Sequence, residues 1–298
     1  MKNSRFWISL LAGGLLAVFA SGAVSAKEAP RGLLWAGCGI TKKAFMAELA
    51  AAYEKKTGIK ITLKGGGATR GIRAAAGGKI DIGGACRITI AGHPEERLAE
   101  QVPVAWDALA VIVHKDNPVD NITFKQLKQI YLGKITNWKQ LGGRNAPIEL
   151  YVRKGFNSGV GRTLRELVFA DYEARFPGAK FVVKSSGPLE KGIVKNPNGI
   201  GVTGISSAKR RAVKVLKLEG HEPSYDNIKN GSYLLYRPLY LVRRRGVENP
   251  AVDDFIRFAL SKEGKAVIRR AGTVPYSDAL VLVMKQLEQY KRASALGL

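Results

Sequence analysis

Cysteine is nearly absent from this 298-residue chain: there are two, Cys38 and Cys86. That excludes a disulfide-dense scaffold and a four-cysteine zinc site. The three histidines, His93, His114 and His221, have no metal-ligand spacing among them. His-rich zinc chemistry is therefore not supported, and none of the three reads as catalytic. Acidic residues are few, 24 Asp and Glu against 48 Lys and Arg, for a formal charge of +24. Such an imbalance points to anionic partners or an acidic medium, and does not set the fold. Short repeats and low-complexity tracts are missing. So are G-x-x-x-x-G-K-[ST] and a G-x-G-x-x-G after the first strand, which removes the usual nucleotide fingerprints. Ser158 stands in Asn-Ser-Gly-Val-Gly, without the first glycine of G-x-S-x-G, so a hydrolase is the weakest reading. Disorder is excluded in turn, because 46% of the residues are hydrophobic and the length suffices for one large or two ordinary domains.

What is present begins with an address. Lys2 and Arg5, an apolar run over 6–20 and Val24-Ser25-Ala26 before Lys27 form the pattern of a secretory signal peptide, residues 1–26. The run of about 15 residues is short of the roughly 20 a spanning helix needs, and no later run is long enough. No cysteine follows the cut to carry a lipid. The mature chain is expected to be soluble and periplasmic, in an oxidising compartment, with a charge of about +22.

Periodicity predicts strands over 33–36, 59–63 and 80–85, alternating with helices over 41–56 and 68–76. This β-α-β-α-β order with short Gly-rich connections argues for an α/β fold with a parallel sheet. The pattern continues with a helix near 94–99, strands at 102–105 and 109–113, a helix at 124–132 and a polar loop over 133–143 that holds Trp138. Strands at 148–152, 180–183, 200–204 and 239–243 follow, with helices at 159–169, 187–195, 249–260, 262–271 and 279–293. Two α/β units with no long linker favour two domains and a ligand between them, since open α/β sheets bind beyond the carboxyl ends of their strands.

Gly37-Cys38-Gly39, Gly65-Gly66-Gly67 and Ala85-Cys86-Arg87 stand at such ends, and Asn157-Ser158-Gly159 opens another helix. Small residues let backbone N–H groups approach a ligand, and helix N-termini favour anions. Arg70, Arg87, Arg153 and Arg162 lie in or beside these loops, with a planar fork suited to oxyanions. The plainer reading is generic Gly-rich turns and solvated arginines. Lys209-Arg210-Arg211 and Arg243-Arg244-Arg245 lack interleaved aromatics, so a solvated basic face is favoured over a nucleic-acid patch.

Taken in order, these residues resemble the periplasmic phosphate-binding proteins of phosphate ABC importers, from about Leu33 to Val274. The resemblance is carried by Gly37-Cys38-Gly39-Ile40-Thr41, Gly66-Gly67-Ala68-Thr69-Arg70-Gly71-Ile72 and Asp81-Ile82-Gly83-Gly84-Ala85-Cys86-Arg87. Most specific is the block from Trp106-Asp107-Ala108-Leu109 through Asn117-Pro118 to Tyr131-Leu132-Gly133-Lys134-Ile135-Thr136-Asn137-Trp138 and Leu141-Gly142-Gly143. Arg153 with Ser158-Gly159, then Gly199-Ile200-Gly201-Val202 and Phe255-Ile256-Arg257-Phe258, complete the series. The resemblance implies a two-lobed periplasmic-binding fold of type II: lobe 1 from 27–107 plus 241–298, lobe 2 from 108–240. Closure would hold one tetrahedral oxyanion, phosphate first, and an ABC permease in the inner membrane would read the closed form. The implied ligand residues are Cys38, Gly39, Thr69, Arg70, Cys86, Arg87, Arg153, Ser158, Gly159 and Val160. Thr69 and Ser158 would give hydroxyl bonds, Arg87 and Arg153 charge, and the loops their N–H groups. No enzyme activity, cofactor, metal or nucleic-acid partner is implied, and a monomer is expected.

The chain departs from the family at its hydroxyls. Cys38, Ala68, Cys86 and Val160 stand where the family usually offers Ser or Thr, and Gly161 replaces a common arginine. Asp107 is the candidate for accepting the proton of hydrogen phosphate. The two cysteines leave three readings open: a Cys38–Cys86 disulfide, a dithiol site for a soft species such as arsenite or a metal ion, or two buried thiols that never meet. Two rival functions follow: a sensor or scavenger of a thiophilic species on the same fold, and a basic exported adhesive or nucleic-acid-binding protein.

Overall fold

The structure, a computed structural model, describes residues 32–295; the signal-peptide reading of 1–26 lies outside them. β1 (Leu33–Gly37) leads into α1 (39–57), a helical run with one π turn at Lys42–Met46. β2 (Ile61–Lys64), α2 (Gly67–Ala76) and β3 (Ile82–Ala85) follow. β1 pairs in parallel with both β2 and β3, as the alternating order requires.

β4 (Ala99–His114) differs from expectation. In place of a helix near 94–99 and two strands there is a single turn, Pro94–Glu96, and one 16-residue strand. Asp107, in the gap between the two expected strands, looks like an interruption because it carries a charge. In the fold the pairing slips by one residue just before it: Leu239 of the neighbouring strand pairs with Ala105 and Tyr240 with Pro103, which leaves Val104 as the extra residue of a bulge in β4. Asp107 stands in register with Arg237, whose guanidinium neutralises it at 3.2 Å.

The chain then forms α3 (Phe124–Tyr131), β5 (Glu149–Arg153), α4 (159–169, with a π turn at Arg165–Phe169), β6 (Ala179–Val183), α5 (Ser186–Lys195) and β7 (Gly199–Gly204). β8 (Tyr236–Arg244), α6 (Pro250–Leu260), α7 (Lys262–Arg270) and α8 (Val281–Ala295) complete it. α3 starts on a reciprocal cap: Thr123 accepts from the Gln126 N–H, and the Gln126 side chain accepts from the Thr123 N–H. Trp138, expected in a loop, lies buried in the turn Trp138–Leu141 and donates to the Asn198 carbonyl at 3.1 Å.

The sheet order is β2-β1-β3-β8-β4-β7-β5-β6, with the short strands Val213–Val215 and Val274–Pro275 also paired to β4. β4 serves both halves. Ala99 to Ala108 runs antiparallel to β8, and Leu109 to Val113 antiparallel to β7. Its apolar run is buried almost throughout, as a central strand covered on both faces demands. Trp106 anchors this centre by stacking on Tyr276 at 4.8 Å and donating its indole N–H to the Tyr276 carbonyl, so the buried donor is satisfied. No helix of the described residues is long and apolar enough to cross a membrane.

Candidate functional site

The carboxyl ends of β1, β2, β3, β5 and β6 open on a cleft of about 670 Å³. Four helix starts line it: Cys38–Gly39 of α1, Gly67–Ala68 of α2, Ser158–Gly159 of α4 and Ser185–Ser186 of α5. Each helix follows its strand after one to five residues, so the first turns of all four face one space. The charged side chains on the lining are Lys43, Arg153, Lys154 and Lys184, and no Asp or Glu is among the lining residues. With four cations and four positive dipole ends, the cleft suits an anion.

Arg153 reaches the cleft from the end of β5. Its guanidinium donates to Ser186 Oγ at 2.8 Å and to the Lys184 carbonyl at 2.9 Å, tying β5 to the start of α5. Its buried Nε has no hydrogen-bond partner among the described residues. Burial lowers the Arg153 pKa, yet a guanidinium stays charged. Lys43, on the first turns of α1, donates to Ser207 Oγ at 2.6 Å. Burial draws its pKa down, opposed by Glu190 at 4.0 Å. Ser158 caps α4 by accepting from the Gly161 N–H, which leaves its own proton to donate.

The cysteines meet beneath this space. Gly37 and Gly84 are register partners, and a Cβ on Gly37 would stand 2.3 Å from the Gly84 carbonyl oxygen. Only glycines allow β1 and β3 so close, and the approach brings Cys38 Sγ within 2.7 Å of Cys86 Sγ. Both are buried free thiols. The hydrogen bond from Cys86 brings Cys38 down to about 6 against the burial that opposes it, helped by Arg237 and the N–H groups of Thr41 and Ile40. The same bond, with burial, pushes Cys86 up. The two titrate as a coupled pair in which Cys38 is the more acidic sulfur. Gly159 closes over them, since a Cβ there would lie 2.3 Å from Cys86 Sγ.

Of the residues expected at a ligand, Cys38, Gly39, Thr69, Cys86, Arg153, Ser158, Gly159 and Val160 line the cleft. Arg70 and Arg87 do not. Arg70 is exposed, its side chain lying along Gly66. Arg87 is buried and grips Glu96 with two bonds of 2.8 Å. A carboxylate within reach of the fork captures it first, and Glu96 sits on a turn that the sequence reading took for part of a helix. The Thr69 hydroxyl accepts from Arg87 and donates to the Asn157 carbonyl, so its proton is committed within the protein. Asp107 is not at the cleft lining; it is buried against Arg237 and accepts from Ser206. The sequence reading missed Lys43, Lys154, Lys184, Ser185, Ser186 and Ser207. The strand at 180–183 followed by a helix carried the signal for three of them, because Lys184-Ser185-Ser186 repeats the strand-end geometry of the other loops. Among the described residues, no group of three or more His, Cys, Asp or Glu could hold a metal ion.

Residues 23–263 match the family model for the PBP superfamily domain. The phosphate-binding protein PstS of Borreliella burgdorferi is 27% identical over 245 residues, covering 79% of this chain and 87% of that protein. A phosphate ABC transporter substrate-binding protein from Clostridium perfringens, solved with bound phosphate, aligns with a TM-score of 0.74 and 30% identity over 83% of this chain and 99% of that one. An ABC-type phosphate transport receptor from Vibrio cholerae aligns with a TM-score of 0.63 and 29% identity, over 81% and 99%.

Proposed function

On the premise that the chain belongs to the PBP superfamily, we propose that its cleft captures phosphate through the four helix starts, Arg153, Lys43, Lys184 and the Ser158 hydroxyl. The protein is a solute-binding protein of the phosphate-importer type and not an enzyme. The observation that carries the ligand assignment is the convergence of four helix N-termini and four cations on one lining free of carboxylates. Backbone N–H groups and cations do there what the missing hydroxyls of Cys38, Ala68, Cys86 and Val160 do in relatives of the family. The halves on either side of β4 act as lobes that close on the anion, and an ABC permease takes the ligand from the closed form. Export through the 1–26 segment places the receptor in the periplasm.

The test is calorimetry of inorganic phosphate against the exported chain, stripped of bound anion. A 1:1 complex of micromolar or tighter affinity is expected, about −8 kcal/mol or better. No heat at millimolar phosphate overturns the assignment. The carboxylate-free lining adds a specificity. A carboxylate would accept the proton of hydrogen phosphate and repel fully ionised sulfate; without one, sulfate should compete within about tenfold of phosphate, or 1.4 kcal/mol. Rejection of sulfate by several orders of magnitude would require an acceptor the lining does not show.

A further inference from the structure

Phosphate capture gives Cys38 and Cys86 no task, yet the fold brings them together with care. The Cys38 N–H donates to the Gly84 carbonyl, and the Cys86 carbonyl accepts from both Thr163 and Arg237. We propose that Cys38 and Cys86 form a reversible disulfide in the floor of the cleft, and that forming it strengthens oxyanion binding; the second half rests on the phosphate reading of the same cleft.

The geometry carries the bond. The sulfurs are 2.7 Å apart, against about 2.05 Å in a disulfide, so a shift of well under an ångström joins them. A soft ion held by both sulfurs at about 2.3 Å each would need them to part by about 1 Å, whereas the disulfide needs them to close by less. Both cysteines border the cleft, but Cys38, the N-cap of α1, is 5% exposed, whereas Cys86 lies under Gly159 and is 1% exposed. Cys38 is therefore the sulfur that meets a reagent, and the cleft is the route to it.

Charge carries the coupling. The groups facing the pair are Arg237 from β8, Arg153 from β5, Lys43 from α1 and, behind Arg237, Asp107 from β4. A Cys38 thiolate occupies the positive start of α1 and draws on the same cations, in competition with an incoming oxyanion. The disulfide is neutral and removes that competitor. Both sulfurs are buried beneath the lining, so joining them takes little space from the ligand.

The step is thiol–disulfide exchange with a disulfide donor, a small-molecule or protein disulfide. The Cys38 thiolate attacks one donor sulfur and the other leaves as thiolate. Cys86 then gives up its proton and attacks the Cys38 sulfur of the mixed disulfide, expelling the second donor thiolate. Two electrons pass to the donor, which becomes two thiols, and the pair loses both hydrogens.

The experiment prepares the exported protein with oxidised glutathione or with a phosphine reductant. Thiols are counted, intact mass is measured, and inorganic phosphate is titrated into each form. Oxidation should remove both thiols together within one chain, and phosphate should bind at least about threefold tighter to the oxidised form. Cys38→Ser and Cys86→Ser should each bind with one affinity under both treatments. Thiols that survive the donor, or that join chains to each other, overturn the bond. A bond with equal affinities in the two forms overturns the coupling. A bond by mass with no phosphate heat in either form overturns the phosphate reading and the coupling with it, and leaves the disulfide established.

Discussion

The two walls of the cleft are made of different chemistry. The wall from β1 to β3 presents Cys38, Gly39, Ala68 and Cys86, and its Thr69 hydroxyl is spent on Asn157 and Arg87. The wall from β5 to β7 presents Arg153, Lys154, Lys184, Ser158, Ser185 and Ser186, with Ser207 behind them committing its proton to Glu190 at 2.6 Å. Lys43 is the exception, a cation from the first wall that reaches across to Ser207. The difference teaches that one wall gives shape and backbone donors, while the other gives charge and hydroxyls. Substitutions on the two sides should therefore fail in different ways.

The largest effect is expected where an apparent ligand residue is structural. Arg87→Ala strips the buried Glu96 of its two 2.8 Å bonds, leaving Arg73 at 3.2 Å and the Ile90 N–H, and should cost about 3 kcal/mol of stability. Denaturant unfolding measures it, while phosphate affinity of the folded fraction should change by less than about threefold. A tenfold loss of affinity with unchanged stability would put Arg87 back at the ligand. Next is the seam between the walls. Gly159→Ala drives a methyl into Cys86 Sγ and should destabilise by about 1–3 kcal/mol. Adding Cys86→Ala removes the clash, so the double variant should recover most of that loss, and a strictly additive pair would refute the contact. Arg153→Ala tests the charged wall and should weaken phosphate at least tenfold, about 1.4 kcal/mol. If titration finds wild-type affinity, the charge lies elsewhere. The smallest effect is one of pH. Burial alone would raise the Glu96 carboxyl, but Arg87 and the Ile90 N–H outweigh it and hold it below its ordinary value. A depressed carboxyl stabilises the fold fully above the ordinary carboxylate range and loses that contribution as pH falls through its lowered value. Melting temperature should drop on acidification through this window, and drop less steeply in Arg87→Ala.

The elements were legible wherever the pattern was long. The alternating segments from Leu33 to Ala85 read correctly because Gly-rich connections punctuate each one, and α4 read from Gly159 to Phe169 without error. Strands of two or three residues, such as Val213–Val215, carry no periodicity and went unseen. β4 was split in two because the neutralisation of Asp107 by a residue 130 positions away is invisible locally. The same holds for the site. Strand-end loops located Cys38, Ser158 and Arg153, since backbone geometry makes such ends face a ligand. Where a long side chain points is decided by its competitors, so Arg87 turning to Glu96 and Lys43 turning to Ser207 emerged only in three dimensions.

β4 has a consequence for the order in which the molecule can assemble. Its first half borders β8, and Arg237 on that strand follows Asp107 by 130 residues. A chain that appears N-terminus first holds β1, β2, β3 and β4 early, but the strand that joins β3 to β4 arrives only with Tyr236 to Arg244. Until then Asp107 has no counter-ion and the middle of the sheet has an open gap. The centre therefore closes late, through contacts distant in sequence, which slows folding and keeps the growing chain from locking prematurely. Premature termination anywhere before Arg244 should yield no stable half-protein, because neither half owns its central strand.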